Sequence, residues 1–389
     1  MDIVTGLAST AQPADRFIRD WFAARRFAGS SDRRDIGERV FNVLRRRFSF
    51  AWRMGDESAR ALVIASLLAE GKDPETLFTG GYGPAPLSDD ERKAIATPPA
   101  DAPAWVTGEY PQVLEAELTR RFGVRLPDEM AAMLARAPLD LRVNTLKASR
   151  DEVVAQLKAE GLDCTAIGTN GIRCAPANFS KHPLFEAGAF EIQDLAAQIA
   201  AERAGARPGM RVLDLAAGAG GKALALAAAM QNEGEIIACD IRGAALAELE
   251  KRAARAGVTI IRTRILSGAG EADSLDGGFD LVFVDAPCSG SGTWRRQPEL
   301  KSRLTPERLA TLHQTQDGLL AHGAACTASR SGISRLVYAT CSLLPSENED
   351  RIEAFLVKNP DFARSEPDFL ASPAATAMDG FFAAFLTRI

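Results

Sequence analysis

Apolar positions recur along the chain in three rhythms, and each change of rhythm marks a boundary. Through residues 14 to about 80 they fall at helical spacing: Phe17, Ile18, Trp21 and Phe22, then Ile36, Val40, Phe41 and Leu44, then the wholly apolar Ala61–Leu68. These predict a helical domain with its aromatic side chains in the core. Gly80–Ala104 (GGYGPAPL…TPPADAPA) is rich in Gly and Pro and reads as a linker. Helices are expected next over about 112–122, stopping at Gly123, and from Asp128 to about Arg136. A small α+β pattern follows. It has a strand at 139–144, a helix opened by the capping box Ser149/Glu152, short strands near Thr165 and Ile172, and Phe190-Glu191-Ile192-Gln193-Asp194 before a helix carrying Leu195, Ile199 and Ala200. From Gly209 the rhythm changes again. Short continuous apolar runs such as Leu281–Val284 and Arg335–Ala339 alternate with helices, as expected of strands buried on both faces of a parallel sheet. The divisions expected are 1–85 (helical), 86–135 (linker and connecting helices), 136–205 (small α+β) and 206–389 (α/β).

Two of the buried strands end in the same way. Leu281–Val284 runs into Asp285, Pro287 and Cys288 with Gly290 and Gly292 behind them, and Arg335–Ala339 runs into Thr340, Cys341 and Ser342. Between them lies one crossover helix, which Thr305 can cap and Pro306 can open. The strands are then parallel neighbours, with both thiols at the carboxyl edge where doubly wound sheets bind ligands.

A third strand, Arg211–Leu215, leads into the turn Ala216, Ala217, Gly218, Ala219, Gly220, Gly221 and Lys222, with Asp240 ending the strand after it. Glycines let a ligand approach the backbone, and the following helix start offers free N–H donors. Gly218, Gly220 and Ala223 satisfy G-x-G-x-x-A with Asp240 in the ribose position, which suits a nicotinamide dinucleotide and S-adenosylmethionine equally. A phosphate-binding P-loop fits less well, because Ala216 and Ala223 stand where a glycine and a Ser or Thr are needed. Lys222 opposes the helix macrodipole, a cost of about 0.3–1 kcal/mol, so a counter-charge such as Asp285, a thiolate or an RNA group is expected beside it.

Composition narrows the classes. A 389-residue chain, 46% hydrophobic and 25% charged, suits a soluble protein of two or three domains. No apolar run approaches the roughly 20 residues that span a bilayer, and MDIVTGLAST lacks a basic region before an apolar one, so a cytoplasmic protein without membrane association is expected. Six cysteines without close pairing, and three His, make neither a disulfide framework nor a metal cluster. The net charge of −5 is uneven: residues 16–53 hold eleven Arg against four acids, +7, leaving −12 for the rest. Such a patch suits RNA phosphates, or is a solvated helix surface.

Cys164, Cys174, Cys239 and Cys326 read as small buried apolar residues. Cys288 and Cys341 read as nucleophile candidates, since a thiolate attacks carbons that oxygen nucleophiles attack poorly, pyrimidine C6 among them. Attack there makes C5 an enamine carbon able to take a methyl group from a sulfonium donor, while a carboxyl group holds the cytosine N3 and N4 edge.

These residues resemble the Sun/RsmB, or Nop/Sun, family of RNA cytosine-5 methyltransferases, in VLDLAAGAGGK (212–222), CDI (239–241), DAPCSGSGTWRR (285–296), TCSLLPSENE (340–349) and DGFF (379–382), with LRVNTLK (141–147) and FEIQD (190–194) extending the likeness. It covers about residues 130–389, and the basic N-terminus resembles the NusB-like RNA-binding domain of the family's bacterial branch. The resemblance implies a Rossmann-like class I methyltransferase domain, a small RRM-like α+β subdomain and an N-terminal all-α domain. It implies Cys341 as nucleophile, Cys288 as the aid to product release, and Asp285 holding the cytosine and the cofactor edge, with Lys222 beside them. S-adenosylmethionine would lie on Ala216–Lys222, Asp240 and Asp285. The substrate implied is RNA, ribosomal 16S first and transfer RNA second, and a monomer is expected. The glycine turn departs from the family's usual CAAPGGKT, and no acid stands near Leu266 and Ser267, where one commonly meets the adenine. A nicotinamide oxidoreductase would leave the two strand-end cysteines unexplained, and a non-catalytic RNA-binding assembly factor would have no need of them.

Overall fold

A computed structural model describes residues 1–25, 29–81, 83–266, 275, 277–327 and 334–389. The chain separates into two compact units, residues 1–136 with 293–305, and residues 137–292 with 306–389.

The first unit is helical. Asp2–Ala8, Ala14–Ala23, Ser30–Arg45, Arg47–Met54 and Ala59–Ala69 bring Ile18, Phe22, Val40, Leu44, Leu62 and Ile64 into one core, while Phe17, Trp21 and Phe41 are half-buried against it. Each fully buried aliphatic side chain there contributes roughly 1.5–3 kcal/mol. Ile36, in the predicted stripe, stays 37% exposed. The stretch expected to be a linker contains a helix, Asp89–Ala96. Ser88 accepts from the Glu91 N–H and the Glu91 carboxylate accepts the Ser88 N–H, a capping box that the surrounding Gly and Pro outweighed in the sequence. Residues 293–305 complete this unit by satisfying helix ends far away in sequence. The Glu299 carboxylate accepts the Ala14 N–H at 2.9 Å, at the start of Ala14–Ala23, and Lys301 Nζ donates to the Arg45 carbonyl at 3.3 Å, at the end of Ser30–Arg45. Glu109 in turn takes the N–H groups of Phe48 and Ser49 at 2.9 and 3.2 Å, where Arg47–Met54 begins.

The second unit holds two sheets. Strands β1 (Leu139–Val143), β2 (Cys164–Ile167), β3 (Gly171–Cys174) and β4 (Phe190–Ile192) form an antiparallel sheet in the order β2-β3-β1-β4. The Ser149/Glu152 capping box opens the helix Arg150–Ala159 between β1 and β2. This is the ferredoxin-like arrangement that an RRM-like subdomain requires.

The larger sheet contains β5 (Arg211–Leu215), β6 (Glu235–Asp240), β7 (Ile261–Ile265), β8 (Leu281–Asp285), β9 (Arg335–Thr340), β10 (Phe362–Arg364), β11 (Phe369–Ala371) and β12 (Phe381–Arg388). Its order is β10-β12-β9-β8-β5-β6-β7, with β11 also on β12; β5 to β9 are mutually parallel and β12 runs antiparallel to β9. The apolar runs are continuous because both faces are covered. Val212, Leu281, Phe283 and Val337 face a core shared with helices Leu195–Arg203, Gly221–Ala229 and Gly243–Ala256. Leu213, Val282, Val284 and Leu336 face the other, shared with Pro306–Cys326 and Glu349–Lys358. Asn348 is the N-cap residue of that last helix, because Pro345–Glu347 first forms a separate 3-10 turn. No helix among the described residues is long and apolar enough to cross a membrane.

Candidate active site

β8 and β9 are parallel neighbours with Asp285 opposite Ala339, so the loops carrying Cys288 and Cys341 leave the sheet side by side. Their sulfurs lie 3.4 Å apart. The Gly292 N–H donates to the Cys341 carbonyl at 3.0 Å, which ties the end of one loop to the start of the other. Gly292 must be glycine: a Cβ there would lie 2.0 Å from the Gly380 carbonyl oxygen, and Gly380 closes the contact by donating to Gly292 O at 2.9 Å. The DGFF segment is thereby seated beside the cysteine loops. The Cys288 thiol is pushed well above its ordinary range, first by its hydrogen bond with Cys341, then by burial and by the charges of Cys341 and Glu347. It is therefore a protonated thiol at neutral pH.

Lys222 stands in the first turn of Gly221–Ala229, and its counter-charge is Asp285, to which Nζ donates directly. Burial alone would lower the Lys222 pKa; the Asp285 charge and hydrogen bond outweigh it, with Cys341 and Asp214 adding, so the net direction is up. The ammonium also lies 5.6 Å from the Phe381 ring centroid. A cation, a carboxylate and two thiols thus converge at two strand ends and one helix start.

Asp214 was not singled out in the sequence. It is fully buried on β5, and its carboxyl is pushed well above the usual range by burial and by Asp285, against the opposing pull of Lys222. The signal for it was an acid inside a strand otherwise apolar on both faces, RVLDL.

The glycine turn is held from two sides. Ala216 (φ 60°), Gly218 (57°) and Gly220 (82°) all take the left-handed region, which costs the alanine about 1–2 kcal/mol. A Cβ on Gly220 would lie 2.4 Å from Leu249, so the turn sits directly on Gly243–Ala256. Buried Ala217 donates to the Cys239 carbonyl at 2.8 Å. The small sheet reaches over from the other side. Arg142 on β1 donates to Gln193 at 2.6 Å and to the Gly221 carbonyl at 3.4 Å, and Glu191 on β4 pairs with Arg252, which donates to the Ala219 carbonyl at 2.6 Å. Asp240 ends β6 beside this turn, its carboxylate accepting the Gly218 N–H at 2.8 Å and three donors of Arg242 at 2.8, 3.0 and 3.1 Å. Burial would raise its pKa, but the Arg242 and Gly218 hydrogen bonds win and the direction is down. Arg142 and Gln193 stood only within the LRVNTLK and FEIQD likenesses, with no role assigned, and Arg242 was not marked at all. Ser267 lies outside the described residues, and Leu266 is buried with its N–H on the Asp240 carbonyl at 3.1 Å.

The strand order, the reversed β12 and the glycine turn after β5 define the class I methyltransferase fold. Residues 205–387 match the family described as 16S rRNA methyltransferase RsmB/F, and residues 110–175 match the ferredoxin-like domain of RsmF/B-like methyltransferases. The chain is 35% identical over 272 residues to the probable ribosomal RNA small subunit methyltransferase B of Synechocystis sp., covering 68% of this chain and 60% of that protein. It is 32% identical over 322 residues to the ribosomal RNA small subunit methyltransferase B of Sodalis glossinidius, covering 78% of this chain and 69% of that one. The crystal structure of PH0851 superposes with a TM-score of 0.79 at 24% identity, over 99% of this chain and 96% of that one, a likeness of fold. The chain belongs to the RsmB/F methyltransferase family.

The family's cofactor is S-adenosylmethionine. The donor set fits it: an acid at the end of β6 for a ribose diol, beside a glycine turn at the end of β5, where adenosine cofactors lie in doubly wound sheets. One condition attaches. The carboxylate of Asp240 already holds four donors, so a diol is accommodated where the Arg242 side chain, 68% exposed, gives way.

Proposed function

We propose that the chain methylates C5 of cytosine in RNA, with 16S ribosomal RNA the first substrate and transfer RNA the second, through a covalent bond between Cys341 and cytosine C6. The observation that carries this reading is the 3.4 Å approach of two thiols at adjacent strand ends beside the Lys222–Asp285 pair. A nucleotide-binding dehydrogenase has no use for that pair of thiols.

Cys341 bonds to C6 as thiolate, and Lys222 stabilises the negative charge in this corner. Asp285 holds the N3 and N4 edge of the base, with a proton between its carboxyl and N3 neutralising the charge that attack at C6 pushes onto the ring. When bound, S-adenosylmethionine supplies the methyl group that C5 accepts. The C5 proton then leaves, the C5–C6 double bond re-forms and the Cys341–C6 bond breaks. Cys288 assists this last step: within the 3.4 Å contact its thiol proton passes to the departing Cys341 sulfur, and the Cys288 thiolate so formed takes the C5 proton.

Order of action separates the thiols. Cys341→Ala is expected to abolish methylation and any denaturation-resistant RNA adduct. Cys288→Ala is expected to accumulate that adduct when RNA and S-adenosylmethionine are supplied, and the double variant to lose it. The measurement is a shifted band of labelled RNA on a denaturing gel; trapping by Cys341→Ala instead would exchange the roles. Mapping 5-methylcytosine in ribosomal and transfer RNA identifies the substrate.

The helical unit is proposed to bind RNA phosphates. Part of its positive charge is already matched internally, Arg39 by Glu70 and Arg47 by Glu57, whereas Arg16, Arg19 and Arg46 are exposed. Converting these three to Gln is expected to flatten the salt dependence of RNA binding by up to about three counterions. An unchanged slope would mark a solvated surface.

A further inference from the structure

Beneath the two cysteine loops lies a buried polar network that none of these roles uses. Its centre is Glu347, fully buried in the 3-10 turn Pro345–Glu347. One carboxylate oxygen accepts the Ser289 N–H at 2.8 Å and Gln316 Nε2 at 3.1 Å. The other accepts the hydroxyls of Ser289 and Ser342. Ser289 directly follows Cys288, and Ser342 directly follows Cys341. Ser291 adds a second link, with its hydroxyl 3.1 Å from that of Ser342 and accepting the Leu343 N–H at 2.8 Å. The Gln316 amide, from Pro306–Cys326, also donates to the Pro287 carbonyl at 3.0 Å, and the Tyr338 hydroxyl of β9 fixes the Glu347 carbonyl at 2.7 Å.

Burying a carboxylate costs several kcal/mol unless its acceptor sites are filled. Here all four are filled, and the donors come from both cysteine loops and from the crossover helix. A group that served one loop alone would draw donors from that loop alone. Because the two serines share one oxygen, the distance between the loops is set by the carboxylate rather than by the half-buried ends that carry the sulfurs.

We infer that Glu347 is a positioning residue that fastens the Cys288 loop to the Cys341 loop, so that both sulfurs meet the same pyrimidine ring. Its importance for turnover rests on the two-thiol reading above; the fastening itself does not.

The test reads geometry and chemistry separately on the full chain. Diamide takes two electrons and two protons from a pair of adjacent thiols, forming one S–S bond and becoming the hydrazine. Peptide mass analysis then gives the rate of Cys288–Cys341 bond formation. In Glu347→Leu that rate is expected to fall about tenfold, and kcat for RNA methylation about 100-fold, with the RNA KM changed less than about threefold. Glu347→Gln is expected to recover part of both, since serine hydroxyls can turn and accept from its amide while its oxygen keeps the Ser289 and Gln316 donors. Ser289→Ala with Ser342→Ala strips both hydroxyl donors from one carboxylate oxygen while the Ser289 N–H and Gln316 still hold the other, and is expected to slow thiol pairing as well. Thiol pairing at the wild-type rate in both Glu347→Leu and the double serine variant overturns the inference, whatever happens to methylation. Slower pairing with undiminished methylation would instead retain the fastening and overturn the two-thiol mechanism.

Discussion

Lys222 and Lys301 are both largely withdrawn from water, and both face a carboxylate, yet their environments push them in opposite directions. Lys222 touches Asp285, and the net effect raises its pKa. Lys301 is 2% exposed in the helical unit, and burial lowers it to about 8; Glu109 opposes the shift, but Arg45 and Arg46 add to it. Lys301 does donate to the Arg45 carbonyl, so it has a hydrogen-bond partner. Among the described residues no carboxylate is in direct contact with it. A buried cation is held charged by a touching acid, whereas a backbone carbonyl and an acid at longer range do not repay its desolvation. The first arrangement holds a cation beside the strand end that carries Asp285, and the second fixes a helix end.

Removing the two ammonium groups should therefore have unlike consequences. Lys222→Met is expected to lower kcat about 10²–10³-fold, the loss seen when one stabilising donor is taken from a reacting centre, since it leaves Asp285 without its partner and the Cys341 corner without its cation. Single-turnover methylation checks it; a loss below tenfold would leave Lys222 only the structural partner of Asp285.

That Lys222 needed a partner was legible from the sequence, because a cation in a first helical turn opposes the macrodipole. The two strand-end cysteines were legible too, since runs buried on both faces announce where a parallel strand stops, and the glycines mark the loops. Features that depend on distant contacts were not. Glu347 read only as one residue of TCSLLPSENE, and only the fold shows donors converging on it from residues 289, 316 and 342. Asp214 looked like one more strand position. The membership of Thr293–Thr305 in the helical unit rests on contacts nearly 300 residues apart in the chain, such as that between Ala14 and Glu299. Helix Asp89–Ala96 was the reverse case: its capping box was local and visible, but the surrounding Gly and Pro outweighed it.

The acid that ends β6 is expected to respond more mildly than Lys222. Asp240→Ala should weaken S-adenosylmethionine binding by about 1.5–3 kcal/mol, the range for hydrogen bonds to a charged acceptor. Part of the loss will be indirect, because Asp240 also holds the Gly218 N–H of the turn. Unchanged affinity in a calorimetric titration would remove Asp240 from the cofactor site.

Lys301 offers a test by pH. In the unfolded chain it titrates in the ordinary lysine range near 10.5, and in the fold at about 8, so between those values the unfolded state binds more protons. Stability then rises with pH across that window, by at most about 1.4 kcal/mol per pH unit; below it the penalty on the charged form is complete, and above it both states are neutral. Chemical denaturation of wild type and Lys301→Met at pH 7.5 and 9.5 isolates the contribution. The wild type is expected to gain relative to the variant as pH rises, and parallel behaviour would show that Lys301 is not held below its ordinary range.

Arg242 completes the series as a cation that touches its acid but stands in water. Its pair with Asp240 is 68% exposed on the arginine side, so solvent screens it and its worth falls to about 0.2–1 kcal/mol. Yet the guanidinium occupies acceptor positions on the carboxylate that a ribose diol would need. Arg242→Ala is therefore expected to tighten S-adenosylmethionine binding by up to about fivefold, the small cost of displacing the guanidinium no longer being paid. The backbone N–H of residue 242 still donates to Asp240, so the carboxylate stays in place in the variant. Titration at low and high salt decides the cause: if the pair competes with the cofactor, the advantage of Arg242→Ala shrinks as salt screens the wild-type pair. Weaker binding in the variant would mean that Arg242 holds Asp240 ready for the ribose rather than standing in its place.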